Sequence, residues 1–217
     1  MLEQNYGDEA EWTEHFEYLL PFFKHENYIK YRGSPMFILY RIGHFGDKLR
    51  PMMQLWIDLA IKNGFPGVYF ITTIGNFYSS DPGTADLTNT VPELKAAMQF
   101  WPVVKMSFKR HQHGKDLRNV TLPQYWGVHT GFDARPRIPS RPIAEIITPE
   151  KFEGYLKKTF ACSSVHRWKA LDDNYLFITA WNEWNEQAIM EPGTMFGFGY
   201  LMAMRRALQS IPSCPYA

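Results

Sequence analysis

Near the C-terminus the run Phe177-Ile178-Thr179-Ala180 leads directly into Trp181-Asn182-Glu183-Trp184-Asn185-Glu186. An apolar strand that delivers two carboxylates between two tryptophans and two asparagines can do chemistry. In parallel α/β folds the ends of the strands carry the site, because the following loops converge there. Glu183 and Glu186 are three residues apart, so on a helical turn their Cβ atoms lie about 5–6 Å from each other. Two carboxyls at that range split their pKa values, leaving one an acid and the other a base. Cleaving or forming a glycosidic bond requires such a pair. Trp181 and Trp184 are suited to wall the pocket, raise the pKa of one acid and stack on a sugar ring. The plainer alternative is that a Glu opening a helix is there for the macrodipole, and that Asn182 and Asn185 tie down loop backbone.

Three other constellations are weaker. His111 and His113 form a His-x-His pair in a polar loop, but no third ligand at suitable spacing accompanies them, so no metal site is assigned. Phe132-Asp133 followed by Arg135-Pro136-Arg137 stands after a predicted strand. There Asp133 and Arg137 are candidates for contacting a sugar or an anionic substrate, against the alternative of a surface salt bridge worth little. Asn119-Val120-Thr121 matches a glycosylation acceptor and carries weight only in a secreted protein. Cys162 and Cys214 are too few for a disulfide framework or a zinc site.

The elements that must hold these residues follow from composition and periodicity. The 217 residues carry 23 Lys and Arg against 22 Asp and Glu, a formal charge of +1. That balance argues against a nucleic-acid surface, which needs clustered excess cations. Apolar runs are short, so no segment spans a membrane, and Met1-Leu2-Glu3-Gln4-Asn5 has none of the marks of a secretory signal. Hydrophobic residues at 45% supply a packed core and exclude a disordered chain.

Asp8 is placed to cap a helix whose Trp12, Phe16, Leu19, Leu20 and Phe23 share one face. A strand is expected over 36–40 after Gly33-Ser34-Pro35. A second helix follows, with Asp47 as cap, carrying Leu49, Met52, Met53, Trp56, Leu59 and Ala60. Further strands are expected over 68–72, 125–132 and 175–180. Residues 73–90 read as a long loop, a short helix is expected after Pro92, and 102–124 is a polar excursion without clear periodicity. Thr148-Pro149 opens another helix, the hydroxyl as N-cap and the proline at the first position, and a last helix runs from about Phe196 to Gln209. Four strands alternating with helices call for a parallel sheet with right-handed crossovers. A closed (β/α)8 barrel needs eight strands and typically about 250 residues. The expected fold is therefore α/β, about four β/α units of a barrel in one partial domain over residues 1–217, with its strand edges left to be covered.

The residues also resemble a known family. Glu3-Gln4-Asn5-Tyr6-Gly7, Tyr18-Leu19-Leu20-Pro21-Phe22-Phe23, Pro66-Gly67-Val68-Tyr69-Phe70 and above all Ala180-Trp181-Asn182-Glu183-Trp184-Asn185-Glu186 look like the WbsX-type glycosyltransferase-like proteins of polysaccharide and lipopolysaccharide biosynthesis. That group is similar to glycoside hydrolase family 99, the endo-α-mannosidase-type (β/α)8 barrels. The resemblance covers nearly the whole chain and implies the C-terminal half of such a barrel, the N-terminal half being absent. It implies that Glu183 is a base acting on the substrate's own 2-hydroxyl, which attacks the anomeric carbon to give an anhydro-sugar, and that Glu186 is the acid/base. It implies substrate contacts from Trp181, Asn182, Trp184, Asp133 and Arg137, an oligosaccharide or polysaccharide partner of α-mannoside type, no cofactor and a cytoplasmic setting. Two departures stand out: Asn185 where relatives have Gly, and Ala134 and Arg135 where they have Asn and Thr. The rival functions are a nucleotide-sugar glycosyltransferase, for which no Asp-x-Asp motif or Gly-rich phosphate loop is present, and a non-catalytic carbohydrate-binding remnant. In each case the missing barrel half, or another chain, is needed to cover the open edges.

Overall fold

A computed structural model of the chain describes residues 5–74, 88–100, 120–133, 135–136, 139, 145–163 and 175–209. They fall into two compact units, Met1–Ala97 with Asp116–Leu122 and Met98–Lys115 with Pro123–Ala217.

The first unit opens with helix α1 (Glu9–Lys24). Asp8 begins it as expected, through a full capping box. Its Oδ1 accepts from the backbone N–H groups of Ala10 (3.0 Å) and Glu11 (3.2 Å), and the Glu11 carboxylate accepts from the Asp8 N–H (3.1 Å). Asp8→Ala removes the one oxygen that accepts from two otherwise unpaired N–H groups. It is expected to cost about 1 kcal/mol, read as a shift in the urea midpoint at unchanged slope. The strand β1 (Lys30–Tyr31) pairs antiparallel with β2 (Ser34–Leu39), which runs parallel to β3 (Tyr69–Ile74) in the register Met36↔Tyr69 to Leu39↔Thr72. Helix α2 (Leu49–Lys62) lies between them in sequence, and Phe16, Phe23, Met52, Met53, Trp56, Ala60 and Phe70 form one buried cluster.

Two expectations are corrected here. Asp47 does not cap α2. A 3-10 segment (Ile42–Lys48) precedes the helix, Lys48 stands at the boundary, and no side-chain cap bond is made. The chain kinks at Gly46, whose φ of 54° and ψ of −136° suit only a residue without Cβ, so Asp47 falls inside the helical turn rather than ahead of it. Nor is there a helix after Pro92, where β4 (Leu94–Gln99) stands beside β3 in the sheet. Leu94, Ala96, Ala97 and Met98 are all buried. Leu94, Ala96 and Met98 bury one face of the strand and Ala97 is buried on the other, and that burial overrides the helical preference of Leu, Lys, Ala and Met.

In the second unit β5 (Gln124–His129) runs parallel to β8 (Leu176–Thr179), from Trp126↔Leu176 to His129↔Thr179. After His129 the chain makes a short antiparallel pair, β6 (Gly131–Phe132) with β7 (Glu145–Ile146). The expected strand over 125–132 is thus two strands, parted at Thr130. Helix α3 (Pro149–Ser163) begins where Thr148-Pro149 predicts, and the Thr148 hydroxyl accepts from the Lys151 N–H at 3.4 Å. Helix α4 spans Gly199–Gln209, three residues shorter at its start than expected. Val128, Ile147, Phe152, Leu156, Met190, Tyr200, Ala203 and Ala207 form the core, with Leu176 and Ile178 packed against it. The architecture is mixed α/β. Among the described residues no helix is long and apolar enough to cross a membrane.

Candidate active site

The side chains of β8 alternate. Leu176 and Ile178 face the helix-covered core, so Phe177 and Thr179 belong to the other face of the strand. On that face the Phe177 and Tyr125 rings meet edge to face at 5.7 Å. The Thr179–Ala180 peptide is cis.

Beyond it the chain forms a hairpin. Strand β9 (Asn182–Glu183) pairs antiparallel with β10 (Ala188–Ile189), Glu183 opposite Ala188 and Asn182 opposite Ile189. The Trp181 carbonyl closes its base, accepting from the N–H groups of Met190 (2.9 Å) and Glu191 (3.0 Å). Trp184–Glu186 form a single 3-10 turn, which ends at Gln187 with φ 55° and ψ 25°. The turn replaces the start of an α-helix on which Glu183 and Glu186 were expected to be neighbours. The Gln187 amide donates to the Trp184 carbonyl at 3.1 Å, which helps hold the chain in that left-handed step. Glu183 and Glu186 therefore stand at the two ends of one tight turn, both half-buried. The indoles beside them are open to solvent, Trp181 at 53% and Trp184 at 46%, while Asn182 and Asn185 are exposed.

Asp133 reaches this hairpin through its backbone. Its N–H donates to the Glu186 carbonyl at 2.7 Å. Only 5% of Asp133 is exposed, and both carboxylate oxygens are taken by Arg135. Nε donates to Oδ1 at 2.9 Å, Nη2 to Oδ2 at 2.7 Å, and the Arg135 backbone N–H to Oδ1 at 3.0 Å. The Arg135 side-chain and backbone bonds hold the Asp133 carboxyl below the usual carboxylate range. Asp133 is thus tied to the candidate site by its main chain, with its charge already matched. Arg137, the other half of that prediction, lies outside the described residues, as do His111, His113, Asn119 and Cys214 and the side chain of Cys162.

His129 is the residue that sequence reading passed over. It ends β5 opposite Thr179 and is 3% exposed. The available signal was its place as the last residue of an apolar strand, where parallel folds put their sites. Burial lowers its pKa to about 4, a backbone bond with Gly131 opposing the shift. The unfolded chain takes up this proton near pH 6.5 and the folded one only near 4. Stability from this group is therefore present above pH 6.5 and is lost as pH falls toward 4, by about 3 kcal/mol in all. Urea unfolding at pH 7 and pH 5 should show about 2 kcal/mol of that loss, and His129→Asn should flatten it. An unchanged pH slope in the variant would show that other groups set the acid sensitivity.

Among the described residues no group of three or more His, Cys, Asp or Glu side chains could hold a metal ion.

Comparison with known proteins places the chain. Two curated relatives, both uncharacterized protein WxcX from strains of Xanthomonas campestris pv. campestris, are 33% identical over 109 residues, 48% of this chain and 14% of theirs. The match thus spans about a seventh of those relatives' length. Two solved structures share the fold. A glycoside hydrolase-like protein superposes with a TM-score of 0.59 at 11% identity, and the GH99 endo-alpha-mannosidase from Bacteroides thetaiotaomicron with 0.54 at 13%. Each alignment covers 94% of this chain and 62% of the other. At those identities the likeness speaks for the fold alone. The family described as Glycosyltransferase WbsX matches residues 1–122 and 95–204. The chain belongs to the glycosyltransferase WbsX family.

Proposed function

We propose that this chain is the C-terminal part of a (β/α)8 enzyme that acts on glycosidic bonds of α-mannoside-type glycans, with Glu183 and Glu186 as its working pair. One observation carries the reading: the two carboxylates stand at the ends of a tight turn in the hairpin that leaves strand β8, beside two half-exposed indoles. Membership of a carbohydrate-active family and a fold shared with an endo-alpha-mannosidase support it.

In this reading Glu183 takes the proton of the substrate's 2-hydroxyl as O2 attacks the anomeric carbon. The bond from that carbon to the leaving oxygen breaks, and Glu186 supplies that oxygen's proton. An acceptor hydroxyl, from water or a sugar, then gives its proton to Glu186 and attacks the anomeric carbon. The O2 bond formed in the first step opens, and Glu183 returns its proton to O2. The residues therefore end as they began. Main-chain anchoring of Glu186 by Asp133 keeps the acid/base in place through both steps.

The family's description favours a second reading, transfer from a sugar nucleotide. The two are separated by supplying full-length protein either with an α-mannoside and water or with a sugar nucleotide and acceptor. Turnover of the α-mannoside that disappears in Glu186→Gln supports the first reading. Product formed only with the nucleotide donor, and retained in that variant, overturns it.

A further inference from the structure

We infer that Glu191 is a positioning residue that sets an aromatic platform for a hexopyranose ring next to the carboxylate pair. The inference rests on the reading of this hairpin as a glycan site, and goes beyond it by naming what orients the ring. Three observations meet on Glu191. Its backbone N–H donates to the Trp181 carbonyl at 3.0 Å. Its carboxylate accepts from the Trp184 indole Nε1–H at 2.7 Å, a charge-assisted bond of the stronger kind. It stands two residues before Gly193, against which the Trp184 ring is laid. A Cβ at position 193 would come within 3.2 Å of the Trp184 Cη2 and 3.5 Å of its Cζ3. The absence of a side chain there lets the six-membered ring of the indole rest on the main chain.

The consequence is an indole fixed at both ends and still 46% exposed. A ring that is half open to water is normally free to change rotamer. Trp184 is denied that freedom by a carboxylate at its pyrrole nitrogen and by backbone under its benzo ring. Its open surface is apolar and flat, and it begins the turn that ends in Glu186. Pre-setting such a surface lowers the entropy that a ligand must overcome on binding. The ligand class that fits is a sugar ring with an apolar C–H face, contributed by the glycan unit nearest the bond being broken. Gly193 is itself held, because its carbonyl accepts from the Gly197 N–H at 2.8 Å.

The test uses full-length protein and a soluble α-mannan as the probe, with retention measured by affinity electrophoresis. Glu191→Ala is expected to weaken retention about tenfold, as loss of an interface anchor does. Glu191→Gln, whose amide oxygen still accepts the indole N–H, is expected to stay within about threefold of the parent. Gly193→Ala keeps Glu191 and pushes only the ring, so it guards against a folding defect in the first variant. It is expected to weaken retention by about threefold, since an exposed ring yields by a few tenths of an ångström. Trp184→Ala is the reference for a lost platform. Equal retention of Glu191→Ala and the parent, with Trp184→Ala weakened, would overturn the positioning role. Unchanged retention of Trp184→Ala, or a parent that α-mannan does not retain, would overturn the platform. Glu186→Gln separates the two proposals: it should lose turnover and keep retention. Turnover kept in that variant would remove the catalytic reading and leave the platform standing.

Discussion

Glu186→Gln is expected to lower turnover by about 10²- to 10⁴-fold, the range by which a positioned proton donor accelerates bond cleavage. The substitution keeps the shape and removes only the proton that the leaving oxygen needs. The fold should survive, because glutamine keeps the size of the side chain and leaves the bond from the Asp133 N–H to the Glu186 carbonyl (2.7 Å) in place. Glu183→Gln is expected to lose as much, for a different reason: the 2-hydroxyl then has no base. An activated aryl glycoside distinguishes the two. Its leaving group departs without a proton, so Glu186→Gln should recover most of its first-step rate on that substrate, while Glu183→Gln should not. The double variant should be little slower than the worse single one, since groups that act in one step are not additive. Equal recovery of both variants would mean that the roles are assigned wrongly.

Trp56→Ala is expected to be the most damaging core substitution in the first unit. The side chain is 1% exposed and stands in an aromatic cluster, its ring 4.8 Å from Phe37 and 5.7 Å from Phe16 between centroids. Truncating a buried aromatic of this size costs about 3–5 kcal/mol through lost contacts and the cavity left behind. The indole also donates to the Trp12 carbonyl at 2.9 Å, and losing that bond adds about 1 kcal/mol. At roughly 2–4 °C per kcal/mol for a chain of this size, the melting temperature should fall by about 10 °C or more. Trp56→Phe should be milder, since it restores most of the volume. A fall of only a degree or two for the alanine variant would show that the cluster around Phe16 and Phe37 recloses.

The elements that periodicity specifies strongly were legible before any coordinates. The α1 stripe of Trp12, Phe16, Leu19, Leu20 and Phe23 and the Thr148-Pro149 start of α3 each combine a capping residue with an apolar repeat, so local and global preferences agree. Where they disagree, the sequence misled. Leu94-Lys95-Ala96-Ala97-Met98 has the composition of a helix and forms β4, because its burial is decided by neighbours far away in the chain. Asp47 has the chemistry of a cap and is not one, because Gly46 turns the chain one residue earlier.

The candidate site divides in the same way. The amino-acid sequence by itself determined which groups stand together near Trp181: two carboxylates three residues apart, two indoles and a strand to present them. Their adjacency is covalent, and no packing can undo it. Only the tertiary structure decided that a hairpin with one 3-10 turn carries them, that Asp133 meets Glu186 through its backbone while Arg135 occupies its charge, and that Glu191 and Gly193 hold the Trp184 ring. His129 opposite Thr179 belongs to this second group, for 50 residues separate two positions that the sheet register makes neighbours. Spacing along a chain fixes only contacts within a turn or two. Contacts between strands depend on register, which is set by burial of whole faces and is not written at any one position.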